Sequence, residues 1–459
     1  MIPKSMFIDR EEELNTLEKL NNEDKAQLII FYGRRRVGKT ALLQEFIKNK
    51  KNSIFFMSDI SENILSIFSR VVSEKFRYTN FDNWDDFFDF LFDISQNERF
   101  IVIIDEFQYL YTVLKAWPTI LQRKWERLKN SKILLILSGS LISSIYRISL
   151  GYGSALYGRK TGEMELKPLK YYDSIKFFDD NLKEKIESYM ILGGIPRYLE
   201  EFTYDNFDDN ILNKILNKNS FLYNEPLSIL YEEFKDFSSY FSVLHSIASG
   251  STRFNEISDK SKIAQNKLSK ILMVLERSNI IKKEESLLKN SVKNKSLYYI
   301  KDNFFSFWFN FIYPSRSALE LEDAPPVLKK IKEQLHTFYG KRFELLSREI
   351  IIQKRRDFPF VISNMGYSWG KLKSIVNGKN TYEFDITFED FNKQNIAIFE
   401  VKYKTLDYLE AIKIIKEKMD IYNNLNLNRK ALFGIIAYKI IGKEKIENFY
   451  AYDYRDFNL

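Results

Sequence analysis

The sequence predicts an α/β fold: a parallel-sheet core in the amino-terminal half, then smaller helical and mixed α/β units. Three observations carry this. Apolar runs at 28–32, 53–57, 100–104 and 133–137 lack the polar alternation of a half-exposed strand, so they read as strands buried on both faces of a parallel sheet. Segments of helical spacing at 40–48, 60–76 and 119–129 lie between them, as an α/β layer requires. The chain has 459 residues, which at roughly 100–200 residues per domain predicts roughly two to four domains.

Residues 1–169 hold the core. Over 170–234 strand-like runs vanish, and helical patterns interrupted by Gly193-Gly194-Ile195-Pro196 predict a helical lid. Over 235–313, helical segments at 238–249, 254–258 and 265–277 precede strand-like runs at 280–283 and 296–300, and helices followed by a β-hairpin are a winged-helix pattern. The aromatic run 302–311 reads as a buried helix docking the next unit. Tyr313-Pro314 and the adjacent prolines near 326 predict a linker over 314–326. Over 327–459 the pattern is a helix at 327–352, a hairpin at 382–388 and 396–403, a helix at 406–422 and a strand at 431–437. This predicts a carboxyl-terminal α/β domain.

Composition narrows the chemistry. Cys is absent, and His245 and His336 are the two histidines, which excludes disulfides, thiolate zinc sites, iron–sulfur clusters and cysteine nucleophiles. A bound metal must therefore use carboxylates, which points to Mg²⁺ or Mn²⁺. The net charge of +8 is compatible with a nucleic-acid partner. No apolar run reaches membrane-spanning length and residues 1–10 lack a signal-peptide core, so a cytoplasmic protein without a membrane partner is expected.

The run at 28–32 enters Gly33-Arg34-Arg35-Arg36-Val37-Gly38-Lys39-Thr40, a complete G-x-x-x-x-G-K-T, with Ala41 continuing into a helix. Glycines let the backbone wrap closely enough for N–H groups and the helix start to face phosphates. Lys39 is placed for the β and γ phosphates of ATP and Thr40 for Mg²⁺. The run at 100–104 ends in Asp105-Glu106, where Asp105 is expected in the metal shell and Glu106 beside the attacking water. Ser138-Gly139-Ser140 ends the next strand and is placed as a γ-phosphate sensor. Arg159 follows a glycine-rich loop and is a candidate phosphate-sensing or trans-acting arginine. Arg34, Arg35 and Arg36 are expected to expose their side chains, as a surface for acidic partners.

Phe7-Ile8-Asp9-Arg10-Glu11-x-Glu13-Leu14, Asp105-Glu106, Ser138-Gly139-Ser140, Tyr157-Gly158-Arg159 and Gly193-Gly194-Ile195-Pro196-Arg197-Tyr198-Leu199 together resemble the archaeal ATPase family, within the AAA+/STAND group of P-loop ATPases. The resemblance covers roughly the first half of the chain. It implies an ATPase module with a helical lid and places the Arg10 segment near the adenine. A homo-oligomer is compatible with it.

The 265–277 segment carries Asn266, Lys267, Ser269 and Lys270 off its apolar stripe, so as a helix it fits the DNA major groove, while Lys289, Lys293 and Lys295 at the wing tip are placed for phosphates. In the last domain, a period of two puts Glu383 with Asp385 on one strand face and Glu400 with Lys402 on the next. Two carboxylates can hold a divalent metal and a neighbouring lysine can stabilise developing charge, with Glu344 upstream completing the metal shell. Glu344, Asp385 and Glu400-x-Lys402 followed by a helix resemble the PD-(D/E)XK nuclease superfamily over 327–459, departing from it in having Phe384 where a proline is common. The expectation is an ATP-binding and ATP-hydrolysing protein coupled to DNA binding and an Mg²⁺-dependent nuclease-like domain. The alternative is an ATP-dependent switch or regulator with an inert carboxyl-terminal domain.

Overall fold

The computed structural model describes residues 8–76, 79–179, 181–203, 206–288 and 296–457. Its first layer is a parallel sheet of β1 (Gln27–Tyr32), β2 (Ser53–Met57), β3 (Phe100–Asp105), β4 (Ile133–Gly139) and β5 (Gly162–Glu165), in the order β2-β3-β4-β1-β5. β1, β3 and β4 are buried throughout, which explains their unbroken apolar sequences. Helices Ile64–Ser73, Trp84–Ile94 and Trp117–Leu128 cover one face through Phe56, Phe68, Phe87 and Trp117. Because β4 lies between β1 and β3, the loops leaving the carboxyl ends of these three strands meet at one edge.

Helices then run through the lid region, among them Leu182–Leu192 and Glu225–Glu233. Helices Phe237–Ala248, Phe254–Ser261 and Gln265–Arg277 follow, then an antiparallel pair, β6 (Ile281–Glu284) and β7 (Leu297–Ile300). Lys289, Lys293 and Lys295 lie outside the described residues. The aromatic run forms the buried helical turns Asn303–Phe307 and Trp308–Ile312, and the Trp308 indole donates to the Tyr223 carbonyl at 2.7 Å. Each such side chain contributes ~1.5–3 kcal/mol on burial. The run therefore fastens the hairpin unit to the lid.

Where a linker is expected over 314–326, the chain folds into the short helix Arg316–Glu320 and then the helix Ala324–Gln353. Pro325 and Pro326 occupy that helix's first turn, where a missing N–H and a fixed φ are tolerated. The prolines therefore start a helix. Beyond it stands a mixed sheet of β8 (Asn364–Val376), β9 (Lys379–Glu389), β10 (Asn395–Asp407), β11 (Lys430–Ile441) and β12 (Tyr450–Tyr452), ordered β12-β11-β10-β9-β8. β9 and β10 form the expected antiparallel pair, with Phe399 opposite Ile386, whereas β10 and β11 run parallel around the helix Tyr408–Asn424. A continuous apolar cluster extends from Leu17 through the lid and the Ala324–Gln353 helix to Phe457, and a second lies beneath the Tyr408–Asn424 helix. Among the described residues, no helix is long and apolar enough to cross a membrane.

Candidate functional site

The phosphate loop joins β1 to the helix Lys39–Ile47. Gly38 has φ +97°, in the region glycine tolerates, and a Cβ on Gly33 would stand 2.4 Å from the Leu166 carbonyl oxygen. Both glycines are therefore required by the backbone path. Lys39 is buried and donates to the carbonyls of Gly33 at 2.9 Å and Arg34 at 3.1 Å. Burial lowers its pKa, partly opposed by Glu106 and Asp105.

Thr40 Oγ1 donates to Asp105 Oδ2 at 2.6 Å, so the hydroxyl and carboxylate expected to share a magnesium shell already meet. The donor set, one hydroxyl and one buried carboxylate, fits Mg²⁺ completed by phosphate oxygens and water. Glu106 sits at φ +52°, unusual for a glutamate, and its carboxylate accepts from Ser140 Oγ at 2.6 Å and Ser140 N at 3.2 Å, and also from Gln108. Ser140 therefore faces the site. Among the described residues, the buried Ser138 hydroxyl has no hydrogen-bond partner.

Arg10 lies against the phosphate loop. Its buried guanidinium bridges the Val37 carbonyl at 3.2 Å and the Lys167 carbonyl at 2.8 Å, holding the loop from behind. The three loop arginines depart from the expectation of exposed side chains. Arg34 is 6% exposed, pairs with Asp302 and lies 4.8 Å from the Phe305 ring centre. Arg36 pairs with Glu225 over the Phe221 ring, and Arg35 pairs with Glu232. The physical reason is long-range: the lid helix Glu225–Glu233 and the start of the Asn303–Phe307 helix bring carboxylates onto the loop. Glu233 is half-buried nearby, its pKa raised mainly by burial.

Arg159 does not join the phosphate loop within its own subunit. It pairs with Glu126 at 2.8 Å at the end of the Trp117–Leu128 helix, beside the entry to β5, whereas the phosphates belong at the strands' exit edge.

In the last domain, Asp385 stands opposite Glu400, one step beyond the final β9–β10 ladder pair, and its Oδ2 accepts from Val401 N at 2.8 Å. Lys402 Nζ reaches Glu400 Oε1 at 2.6 Å, and Lys418 Nζ reaches Oε2 at 2.8 Å. Burial, then Glu400 and Glu344, pushes the Asp385 pKa up to about 7. The Glu344 pKa is raised chiefly by burial, with Lys341 and Arg348 opposing and Glu383 and Glu400 adding to the rise. Four of the expected residues therefore share one electrostatic neighbourhood.

The expected three-carboxylate shell is not assembled. Among the described residues, no group of three or more His, Asp or Glu side chains is placed to hold a metal ion. Glu344 stays on its helix beside Lys341, and Glu400 is held by two lysines. The pair Asp385 and Glu400 remains, and its oxygens suit a hard cation that keeps several waters. Sequence reasoning missed Lys418, which reaches Glu400 from the helix following the Glu400-x-Lys402 strand. It also missed Glu225, Glu233 and Asp302, because nothing local marks a lid carboxylate as a partner of a phosphate loop.

Comparison with known proteins places this geometry. Residues 7–202 match a family described as an ATPase domain predominantly from Archaea, and residues 308–414 match one described as archaeal and bacterial proteins of unknown function. An uncharacterized protein of Methanocaldococcus jannaschii is 32% identical over 453 residues, covering 96% of this chain and 97% of its own length. An uncharacterized ATP-binding protein of the same organism is 63% identical over 46 residues, covering 10% of this chain and 78% of its own. Among solved structures, the Walker-type ATPase of Pyrococcus abyssi is 24% identical with a TM-score of 0.49, covering 66% of this chain and 96% of that one. With a P-loop ATPase core at its amino end and this full-length relative, the chain belongs to the archaeal ATPase family.

Proposed function

We propose that this protein binds and hydrolyses ATP, and that the nucleotide state governs a nucleic-acid-binding winged helix and a divalent-metal site in the last domain. The observation that carries the first part is the meeting of Thr40, Asp105 and Glu106 at the exit edge of β1 and β3. Thr40 and Asp105 would hold Mg²⁺, which would supply neutralisation of phosphate charge. Lys39 exchanges the carbonyls of Gly33 and Arg34 for phosphate oxygens. Glu106 leaves Ser140 to orient and polarise water. A test is steady-state ATP turnover by wild type, Lys39→Ala and Glu106→Gln. Loss in both variants, with nucleotide binding kept only in Glu106→Gln, supports this reading, and equal turnover in all three refutes it.

The second part rests on Asp385 and Glu400, set against each other with Lys402 alongside. Bound there, Mg²⁺ or Mn²⁺ supplies water activation at a phosphodiester, while Lys402 holds the developing charge. The helices and hairpin spanning Phe237 to Ile300 follow winged-helix order, and Asn266, Ser269 and Lys270 are exposed on its third helix. Cleavage of plasmid and single-stranded DNA with Mg²⁺ or Mn²⁺, compared with Asp385→Asn and Lys402→Ala, tests this. The alternative of an inert domain is favoured by the double lysine clamp on Glu400 and predicts nucleotide-dependent DNA binding that survives Asp385→Asn, with no cleavage by wild type.

A further inference from the structure

β8 runs along the edge of the carboxyl-terminal sheet, and its two faces are unlike. Leu372 and Val376 pack into the cluster beneath the Tyr408–Asn424 helix, and Ser374 Oγ accepts from Asn424 Nδ2 at 2.6 Å. Tyr367, Trp369 and Lys371 follow the period of two along one face, and beyond them, across a register irregularity between Lys371 and Val376, Lys373 and Ile375 are exposed. Lys371 and Lys373 are exposed, Ile375 is 74% exposed, and Tyr367 and Trp369 are half-buried with ring centres 5.1 Å apart.

Charge on this arm has one sign. Residues 371–382 contain Lys371, Lys373 and Lys379 and no Asp or Glu. Among the described residues these three lysines make no ion pair, whereas most lysines around the carboxylate cluster do. Exposed lysines left without carboxylates on an edge strand resist edge-to-edge pairing, which alone explains one of them. It does not explain two aromatic rings continuing the row.

That row leads to the metal-site residues. Trp369 stands opposite Glu383, two residues before Asp385, and the Tyr367 hydroxyl donates to Glu383. The chain leaving β6 is tied to the same strand: Leu287 N donates to Tyr367 O at 3.0 Å, and Ser286 Oγ donates to Trp369 O at 2.9 Å. The chain leaving β6 and the arm are therefore held together beside Glu383. Half-exposed rings beside a run of unpaired cations are what a single nucleic-acid strand needs, with ring faces for bases and lysines for the backbone.

The geometry points to the exposed face of β8 as a track for a single polynucleotide strand, with Lys371 and Lys373 on phosphates and Tyr367 and Trp369 against bases, delivering the strand to Asp385 and Glu400. A duplex offers no free base faces at its sides, so the track selects single strands. This rests on the nucleic-acid reading of the last domain and adds the substrate class and the residues that choose it.

The test is fluorescence anisotropy of the full-length protein with a labelled single-stranded DNA 20-mer, the same sequence as a duplex, and its RNA counterpart, each over a salt series. Lys371→Ala/Lys373→Ala is expected to weaken single-strand binding about tenfold and to lower the salt slope by about 1.4. Trp369→Ala is expected to weaken it several-fold with the slope unchanged, a split that a merely structural role does not produce. Lys19→Ala/Lys51→Ala, which removes the same charge from the ATPase core, is expected to match wild type. The DNA and RNA arms identify which polymer is held. Wild-type affinity and slope in the β8 variants, or duplex bound as tightly as single strand, overturn the track while leaving nucleic-acid binding intact. Absence of binding to all three probes by wild type overturns the nucleic-acid reading and the track with it.

Discussion

Arg34 in the phosphate loop and Asp302 at the start of the Asn303–Phe307 helix form a buried ion pair across 268 residues of sequence. Asp302 also caps its own helix, accepting from Phe305 N at 2.6 Å. On the other side of this segment, Arg342 donates to the Ile300 carbonyl at 3.0 Å and to Asn303 Oδ1 at 3.3 Å. Arg342 lies on the helix that carries Glu344. The phosphate loop and the helix that carries Glu344 are therefore joined by a short series of polar contacts.

Asp302→Asn leaves the Arg34 cation buried without its counter-charge. A loss of about 3 kcal/mol in unfolding free energy is expected without nucleotide. Because polyphosphate can replace the lost carboxylate, ATP should raise the melting temperature of Asp302→Asn more than that of wild type. Thermal melts of both proteins with and without Mg-ATP check this, and an equal nucleotide shift counts against the coupling.

Glu106 is held by Ser140 and Gln108 in an unusual backbone conformation. Glu106→Gln is expected to lower ATP turnover by about 10²–10⁴-fold, the range for a lost general base, while sparing nucleotide affinity. Ser140→Ala should have a smaller effect on turnover, since it frees the carboxylate without removing it. Single-turnover hydrolysis separates these effects from binding.

The Glu225 carboxyl is raised to about 7 by burial, which outweighs the opposing Arg36 cation. A carboxyl whose pKa is higher in the folded than in the unfolded chain makes the folded state bind more protons between the two values. Its contribution to stability therefore declines as pH rises from the ordinary glutamate range to about 7, and levels off above that. Denaturant midpoints measured from pH 4.5 to 8.5 should fall less steeply in Glu225→Gln than in wild type.

Arg159 is bound to Glu126, away from the phosphate loop. Arg159→Ala in dilute, monomeric protein should therefore retain ATP turnover within about twofold, because an exposed pair of this kind is worth little to the fold. A large loss that appears only at concentrations where copies associate identifies a contribution in trans.

Much of the site was legible in the sequence because its chemistry is local. Gly33, Gly38, Lys39 and Thr40 are dictated by one turn wrapped around phosphates, and Asp105-Glu106 by the exit of a fully buried strand. β8 was also within reach: Asn377-Gly378, with φ of +51° and +74°, is a hairpin dipeptide between alternating segments. Its lysines and glycines hid that alternation, since one face carries cations instead of the expected neutral polar residues.

The sequence by itself determined the elements whose reasons lie within a few residues: the parallel strands, the phosphate loop, the buried aromatic helix and the β9–β10 pair. Only the tertiary structure decided what the charges do. Arg34, Arg35 and Arg36 read as a free basic surface until Asp302, Glu232 and Glu225 fold against them. Asp385 and Glu400 read as part of a three-carboxylate shell until Lys402 and Lys418 take up the oxygens of Glu400. The physical reason is common to both. A charge acts on whatever lies within a few ångströms of it, and for these residues most of those neighbours come from segments far away along the chain.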